Sequence, residues 1–384
     1  MQRSPLGGPG NRTSSLLSSS SLSHDSTVFH SYRCHLEIPF GLRCCSGPQD
    51  AGKLEYYVPA KFDEERPGFR YHHITYDTSI EDHLLASRLP KVSNRPTIQG
   101  DTAEFHCLAR QSNTPKKPDD YLYSDEPQLS IQTVSFEDAT LVSATWPHTF
   151  LDAMGLRALF DAWILVLRGQ EDQLPPFYGF DVDPVANLGD SSPVEPHVLA
   201  DRQLKGLRFF VFVVCYVFDL LWWRKDEQRI VCLPSSYLQQ MKQTVMHELV
   251  TRSKSERKPF ISDGDIICAW WTRLAIQNMS RTSSRTVLIM NAFDLRTALS
   301  NDIVPSGAAC MSNFSGVIYT SLPAHQIFQK LLSFVASHIR EPIQEQGTRS
   351  RVEAFVGLHQ KLTATIGRAP MFGDSSNQLV VFSN

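Results

Sequence analysis

Two short runs in which apolar and polar residues alternate stand out along the chain. They are Leu129–Phe136 (LSIQTVSF) and Thr140–Trp146 (TLVSATW), separated by Glu137, Asp138 and Ala139. Side chains on a strand alternate between its two faces, so this period of two around a short turn predicts a β-hairpin. The second run ends at Pro147, and beyond His148–Gly155 (HTFLDAMG) the period changes. Leu156, Leu159, Phe160, Trp163 and Leu167 follow i, i+3, i+4, i+7, i+11 spacing, which predicts an amphipathic helix that Gly169 is placed to stop.

Residues 174–201 are rich in Pro, Gly and Asp and read as the start of a crossover between domains. The most apolar stretch follows, Phe209–Trp223 (FFVFVVCYVFDLLWW). It falls short of the roughly 18–20 residues that span a bilayer, and Asp219 interrupts it. A buried helix or strand pair is the expectation, with contact to a membrane surface left open. Arg229–Leu233 (RIVCL) predicts a short buried strand ended by Pro234. Ser235 or Ser236 can then cap a helix carrying Leu238, Met241, Val245 and Leu249 on one side. Ser262-x-x-Asp265 has capping-box spacing ahead of a helix over Ile266–Ile276, in which Cys268-Ala269-Trp270-Trp271 reads as packing. Strands are expected at Thr286–Met290, Gly316–Tyr319 and Leu379–Phe382, and helices at Ile327–Ile339 and Val352–Ile366. Helices and strands are mixed without strict βαβ alternation, an α/β (mixed α+β) class with no internal repeat.

Composition narrows the function classes. The 384 residues suffice for two domains, and 42% hydrophobic with 20% charged residues is ordinary for a soluble globular protein. A formal net charge of −3 gives no bulk attraction to nucleic acid or to an anionic membrane. The eight cysteines are scattered with no C-x-x-C pair, which fits reduced thiols in a cytoplasmic protein. Residues 1–50 are Ser-, Gly- and Pro-rich and read as a disordered or aberrant tail. Domains are expected at 51–190 and 229–384, joined by 191–228.

No G-x-S-x-G, G-x-G-x-x-G, P-loop or H-E-x-x-H is present, so serine hydrolase, dinucleotide, NTPase and zinc-protease chemistry lack a motif. The spacing H-x-x-x-D occurs three times: His73/Asp77, His148/Asp152 and His197/Asp201. About one is expected by chance among 13 histidines, so context must choose. His73 lies in an alternating, strand-like stretch, and His197 lies in the Pro-rich crossover, where a solvated loop is the default. His148 sits at a strand-to-helix junction, where a rigid scaffold can aim a side chain at a cleft, and Ala153 and Gly155 leave room for another segment or a ligand. These residues alone leave His148 open between a structural and a functional role.

The string SATWPHTFLDAMGLRALFDAW resembles the H-x-x-x-D segment of BAHD acyltransferases in their fungal branch. RIVCLP with its Ser-capped helix, SDGDIICAWWTRLA and NAFDLR resemble that branch in the same order, over roughly residues 53–384. The resemblance implies a two-domain, chloramphenicol-acetyltransferase-like fold with a tunnel between domains. It implies acyl-CoA as co-substrate, a small-molecule alcohol or amine as acceptor, no permanent cofactor, no metal, and a monomer. His148 would be the general base, a task that suits imidazole because its unperturbed pKa lies near operating pH. Asp152 would point away from the tunnel and pair with Arg296 of Asp294-Leu295-Arg296; an ordinary helix-terminal charge is the alternative. Lys254, Arg257 and Lys258 are candidates for the CoA phosphates, or a solvated basic loop. The family's second signature, D-F-G-W-G or a relative, is absent, so the second domain is expected to be incomplete. An active acyltransferase of fungal secondary metabolism and a non-catalytic fragment, binding or regulatory relative are the two functional expectations.

Overall fold

A computed structural model describes residues 62–122, 124–179, 184–190, 195–225, 227–252, 259–300 and 302–383, with backbone alone for 42–44 and 54–56. The strands are β1 (Leu42–Cys44), β2 (Leu54–Tyr56), β3 (Arg70–Thr75), β4 (Thr97–Ile98), β5 (Ser130–Ser135), β6 (Thr140–Thr145), β7 (Val231–Cys232), β8 (Thr286–Asp294), β9 (Ser315–Pro323) and β10 (Gln378–Phe382). The helices are α1 (His106–Ala109), α2 (Pro118–Leu122), α3 (Ala153–Leu167), α4 (Gly206–Trp222), α5 (Ser235–Arg252), α6 (Asp263–Ala275), α7 (Leu295–Leu299), α8 (Ala324–Gln329), α9 (Leu332–Gln346) and α10 (Arg349–Ile366).

The expected hairpin is β5–β6, antiparallel with Ser135 opposite Thr140, and β3 extends it in parallel. Alternation divides the central strand between two cores. Leu129, Ile131 and Ala144 pack on Leu159, Phe160 and Trp163 of α3. Val134 and Phe136 face Ile74, Ala86 and Leu108. Helix α3 ends as the sequence indicates. Gly169 takes φ +67°, its N–H donates to the Val166 carbonyl, and the Gln170 N–H donates to Leu165, which is the Schellman arrangement.

The second half repeats this plan around a longer hairpin. β8 and β9 are antiparallel, and β10 adds in parallel to the free side of β8. Val287 and Ile289 face α5, α6 and α9, while Leu288 shares the opposite face with Val317, Tyr319 and Phe372. Leu238, Met241, Val245 and Leu249 all pack into the first of these cores. The Ser262 capping box forms as expected: the Ser262 hydroxyl accepts from the Asp265 N–H and the Asp265 carboxylate accepts from the Ser262 N–H.

Five expectations are corrected. The stretch Phe209–Trp223 is helical but not buried: within α4 only Phe212 is enclosed. RIVCL does not enter a main sheet; β7 is a two-residue, half-buried strand against β4. The single helix expected over Ile327–Ile339 is broken at Lys330 and Leu331, which are extended. Arg273 accounts for the break, since its guanidinium donates to the carbonyls of Ile327 and Lys330 that a continuous helix would have used. Trp271 is 37% exposed, so the packing of its segment is done by Cys268 and Ala269, with Trp270 against Tyr237. The fifth correction is His197, expected in a solvated loop but only 4% exposed.

His197 is enclosed because the crossover folds over the β10-β8-β9 sheet. Its ring lies between Phe355 and Phe372, at centroid distances of 5.5 and 5.3 Å. Its Nδ1 accepts a hydrogen bond from the Leu199 N–H at 3.2 Å, which fixes the neutral tautomer with the proton on Nε2. Burial, with Arg351 nearby, lowers its pKa from 6.5 to about 4. The unfolded chain binds this proton near pH 6.5 and the folded chain does not, so stability falls as pH drops from 6.5 toward 4. The loss reaches about 3 kcal/mol. Urea midpoints measured across this window should decline with pH, and His197→Phe should flatten the decline.

Candidate active site

The site grows from a loop that the hairpin and α3 hold at both ends. β6 leaves the sheet at Thr145, and Trp146 then donates its indole N–H to the Leu151 carbonyl at 3.0 Å, closing the loop on itself. Leu151 is fully buried beneath. Asp152 is the N-cap of α3, accepting from the Gly155 N–H at 2.8 Å.

The cap is only part of what Asp152 does. From the second half of the chain, Arg296 donates through Nη2 to Oδ1 at 2.9 Å and through Nη1 to Oδ2 at 3.0 Å. The Phe314 N–H adds a bond to Oδ2 at 2.8 Å. The carboxylate is thus saturated by four donors while only 5% exposed. Arg296 is itself held in place. Asp294, which ends β8 and caps α7, accepts from Arg296 Nη1 at 2.8 Å, and the Cys310 and Ser312 carbonyls accept from Nε and Nη2. Burial alone would lower the Arg296 pKa, but its bonds to Asp152 and Asp294 outweigh that and raise it, so the guanidinium stays charged.

Segment 308–314 therefore lies directly on the H-x-x-x-D loop. Gly155 makes the approach possible, because a Cβ there would stand 2.0 Å from the Met311 carbonyl oxygen. Asn313 Nδ2 donates to the backbone carbonyls of His148 at 2.6 Å and Thr149 at 3.1 Å. His148 is fixed by its main chain; its side chain is exposed, and among the described residues the ring forms no hydrogen bond. A cavity of about 10 Å³ beside His197 and Phe293, and an open groove of about 580 Å³ beside Arg88 and Lys91, both lack His148 in their walls.

Of the site residues named from the sequence, the structure brings His148, Asp152 and Arg296 together. Lys254, Arg257 and Lys258 lie outside the described residues. His73 is exposed on β3 and bonded to Ser135, and His197 is enclosed elsewhere, so the other two H-x-x-x-D matches are not part of this site. Asn313 and the Phe314 N–H were not foreseen. Neither carries a local signal, since their partners are 162 to 165 positions away in the chain.

No family model matches the chain. The chain is 40% identical to transcriptional regulator calD of Penicillium decumbens, over 87% of its own length and 67% of that protein's. It is 35% identical to acetyltransferase adrJ of Penicillium roqueforti, again over 87% and 67%. The chain belongs to the fungal BAHD-type acyltransferases. The fold match runs to TRI101 of F. graminearum, solved with coenzyme A and T-2 mycotoxin. The TM-score is 0.57 at 13% identity, covering 89% of this chain and 71% of that one. In this BAHD-type chain the H-x-x-x-D loop meets segment 308–314 from the second half of the sequence.

Substitutions at two positions probe the join. Removing one member of a buried ion pair strands the other, so Asp152→Ala should cost about 3–5 kcal/mol of stability. Asp152→Asn keeps a cap acceptor and should cost less. Gly155→Ala should lower the melting temperature by displacing segment 308–314, at a cost of about 1–3 kcal/mol. Denaturant titration of the purified variants measures both.

Proposed function

We propose that this acyltransferase moves an acyl group from acyl-CoA to the hydroxyl of a small-molecule acceptor, with His148 as the general base. The observation that carries the proposal is the arrangement of the loop. Asp152 is turned into the join between halves and consumed by structural bonds, while the His148 imidazole four residues earlier is left free to meet a substrate.

The step follows from that geometry. An unprotonated ring nitrogen of His148 takes the acceptor's proton as its oxygen attacks the thioester carbonyl. The new C–O bond gives a tetrahedral oxyanion; its collapse breaks the C–S bond, and the imidazolium returns the proton to the leaving CoA sulfur. Asp152 takes no part in proton transfer. With Arg296 it is a positioning group, and Asn313 holds the His148 carbonyl from the opposite half. Lys254, Arg257 and Lys258 are the basic side chains we assign to the CoA phosphates. The acetyltransferase name of adrJ, and the coenzyme A and T-2 mycotoxin bound to TRI101, support acyl-CoA and a hydroxylated natural product as the two substrates. The protein acts as a monomer in the cytoplasm of a fungal cell.

A non-catalytic reading is favoured by two observations. The His148 ring is exposed, and the relative calD bears the name of a transcriptional regulator. One assay separates the two readings. Purified protein is given acetyl-CoA and a panel of hydroxylated small molecules, trichothecenes included, and free CoA thiol and acylated product are measured. Transfer by the wild type, reduced roughly 100-fold or more in His148→Ala, is the expected outcome. Equal rates would remove His148 from the mechanism, and no transfer by either protein would favour the non-catalytic reading.

A further inference from the structure

Helix α4 is apolar around most of its circumference, interrupted by Arg208 and Asp219, which is unusual for a helix on a protein surface. Its inner side is anchored to the second half of the chain. Phe212 is buried, the Arg368 guanidinium lies 3.5 Å over the Phe209 ring, and Asp219 pairs with Arg285 at 3.0 Å. Its outer side carries Leu207, Phe210, Val214, Phe218 and Leu221 at successive turns, all exposed, with Trp222 and Trp223 exposed at the end. Phe210 is 63%, Phe218 60% and Trp222 69% exposed. Solvated helices normally turn polar residues outward, and a contiguous patch of this kind marks an interaction surface.

The charges around the patch indicate what it meets. Lys205 and Arg208 stand at its start and Arg224 and Lys225 at its end, with Arg202 one turn earlier. The one acid within the helix, Asp219, is neutralised by Arg285. Asp374 lies near Arg208, and in the sequence Asp201 precedes Arg202 while Asp226 and Glu227 follow Lys225. Among the described residues, Lys205, Arg224 and Lys225 form no ion pair. A helix of 17 residues is about 25 Å long, and among the described residues no helix is long and apolar enough to cross a membrane. Apolar side chains outward, basic residues at both ends and a terminal tryptophan pair are the pattern of a helix lying in the plane of a bilayer interface.

We propose that α4 docks this chain on an anionic membrane surface, its outer face entering the headgroup boundary and its basic ends contacting lipid phosphates and carboxylates. The proposal is independent of His148, so it stands or falls apart from the acyl-transfer reading.

The test is co-sedimentation of the purified full chain with vesicles of phosphatidylcholine, with and without phosphatidylserine. Tryptophan emission is followed in parallel. Binding should be tighter with phosphatidylserine, weaken with added salt, and shift tryptophan emission to the blue. Phe210→Glu with Phe218→Glu should reduce binding roughly tenfold or more, and Lys205→Glu with Arg224→Glu should abolish the preference for anionic vesicles. The substituted positions face outward, and an unchanged melting temperature verifies the fold. Binding to neither vesicle, or binding unaffected by the phenylalanine substitutions, overturns the proposal. So does a concentration-dependent dimer that Phe210→Glu with Phe218→Glu converts to monomer, since the face would then be a self-association surface.

Discussion

A carboxylate with almost no access to water must find donors within the protein, and Asp152 finds them on both sides of a long-range join. One is the N–H of its own helix. Three come from residues at least 144 positions further along: two from the Arg296 guanidinium and one from the Phe314 backbone. Because the bidentate pair is geometrically demanding, it fixes the angle between the α3 entrance and the end of β8 as well as their distance. Asp294 tightens the constraint by turning the guanidinium toward Asp152. Buried ion pairs give little net stability over an apolar contact, but they are intolerant of misalignment. Here that intolerance locks the register of the two halves.

The same join explains how a surface histidine can be well placed. His148 has no side-chain partner among the described residues, yet its backbone is fixed from below by the Trp146–Leu151 bond and from across by Asn313. Position is supplied by the main chain and the imidazole stays unencumbered. Gly155 belongs to the same arrangement, since any Cβ there would push segment 308–314, and with it Asn313, away from the loop.

Much of the fold was legible because its signals are local. The period of two in LSIQTVSF and TLVSATW, the 3.6 period of α3 with Gly169 at its end, and the Ser262 capping box each depend on a few neighbouring residues. The family resemblance supplied the pairing of Asp152 with Arg296, which spacing alone could not. What escaped the sequence depends on distant partners. A Pro-rich crossover reads as solvated, and nothing near His197 announces that Phe355 and Phe372 enclose it. The break between α8 and α9 rests on Arg273, more than 50 positions away. Asn313 lies beside a strand with no motif of its own.

Helix α4 shows the converse error, and a physical lesson follows from it. Apolar composition states what a segment gains by leaving water, not which surface receives it. A buried helix was the natural reading of FFVFVVCYVFDLLWW, yet the fold covers one side and leaves the other open. The covered side is held by polar devices, Arg285 on Asp219 and Arg368 over Phe209, more than by a deep apolar core. A helix so attached keeps its orientation when its outer face meets another phase. The attachment therefore divides the labour: charged contacts fix which side faces the protein, and the apolar residues are left to interact with whatever lies outside it.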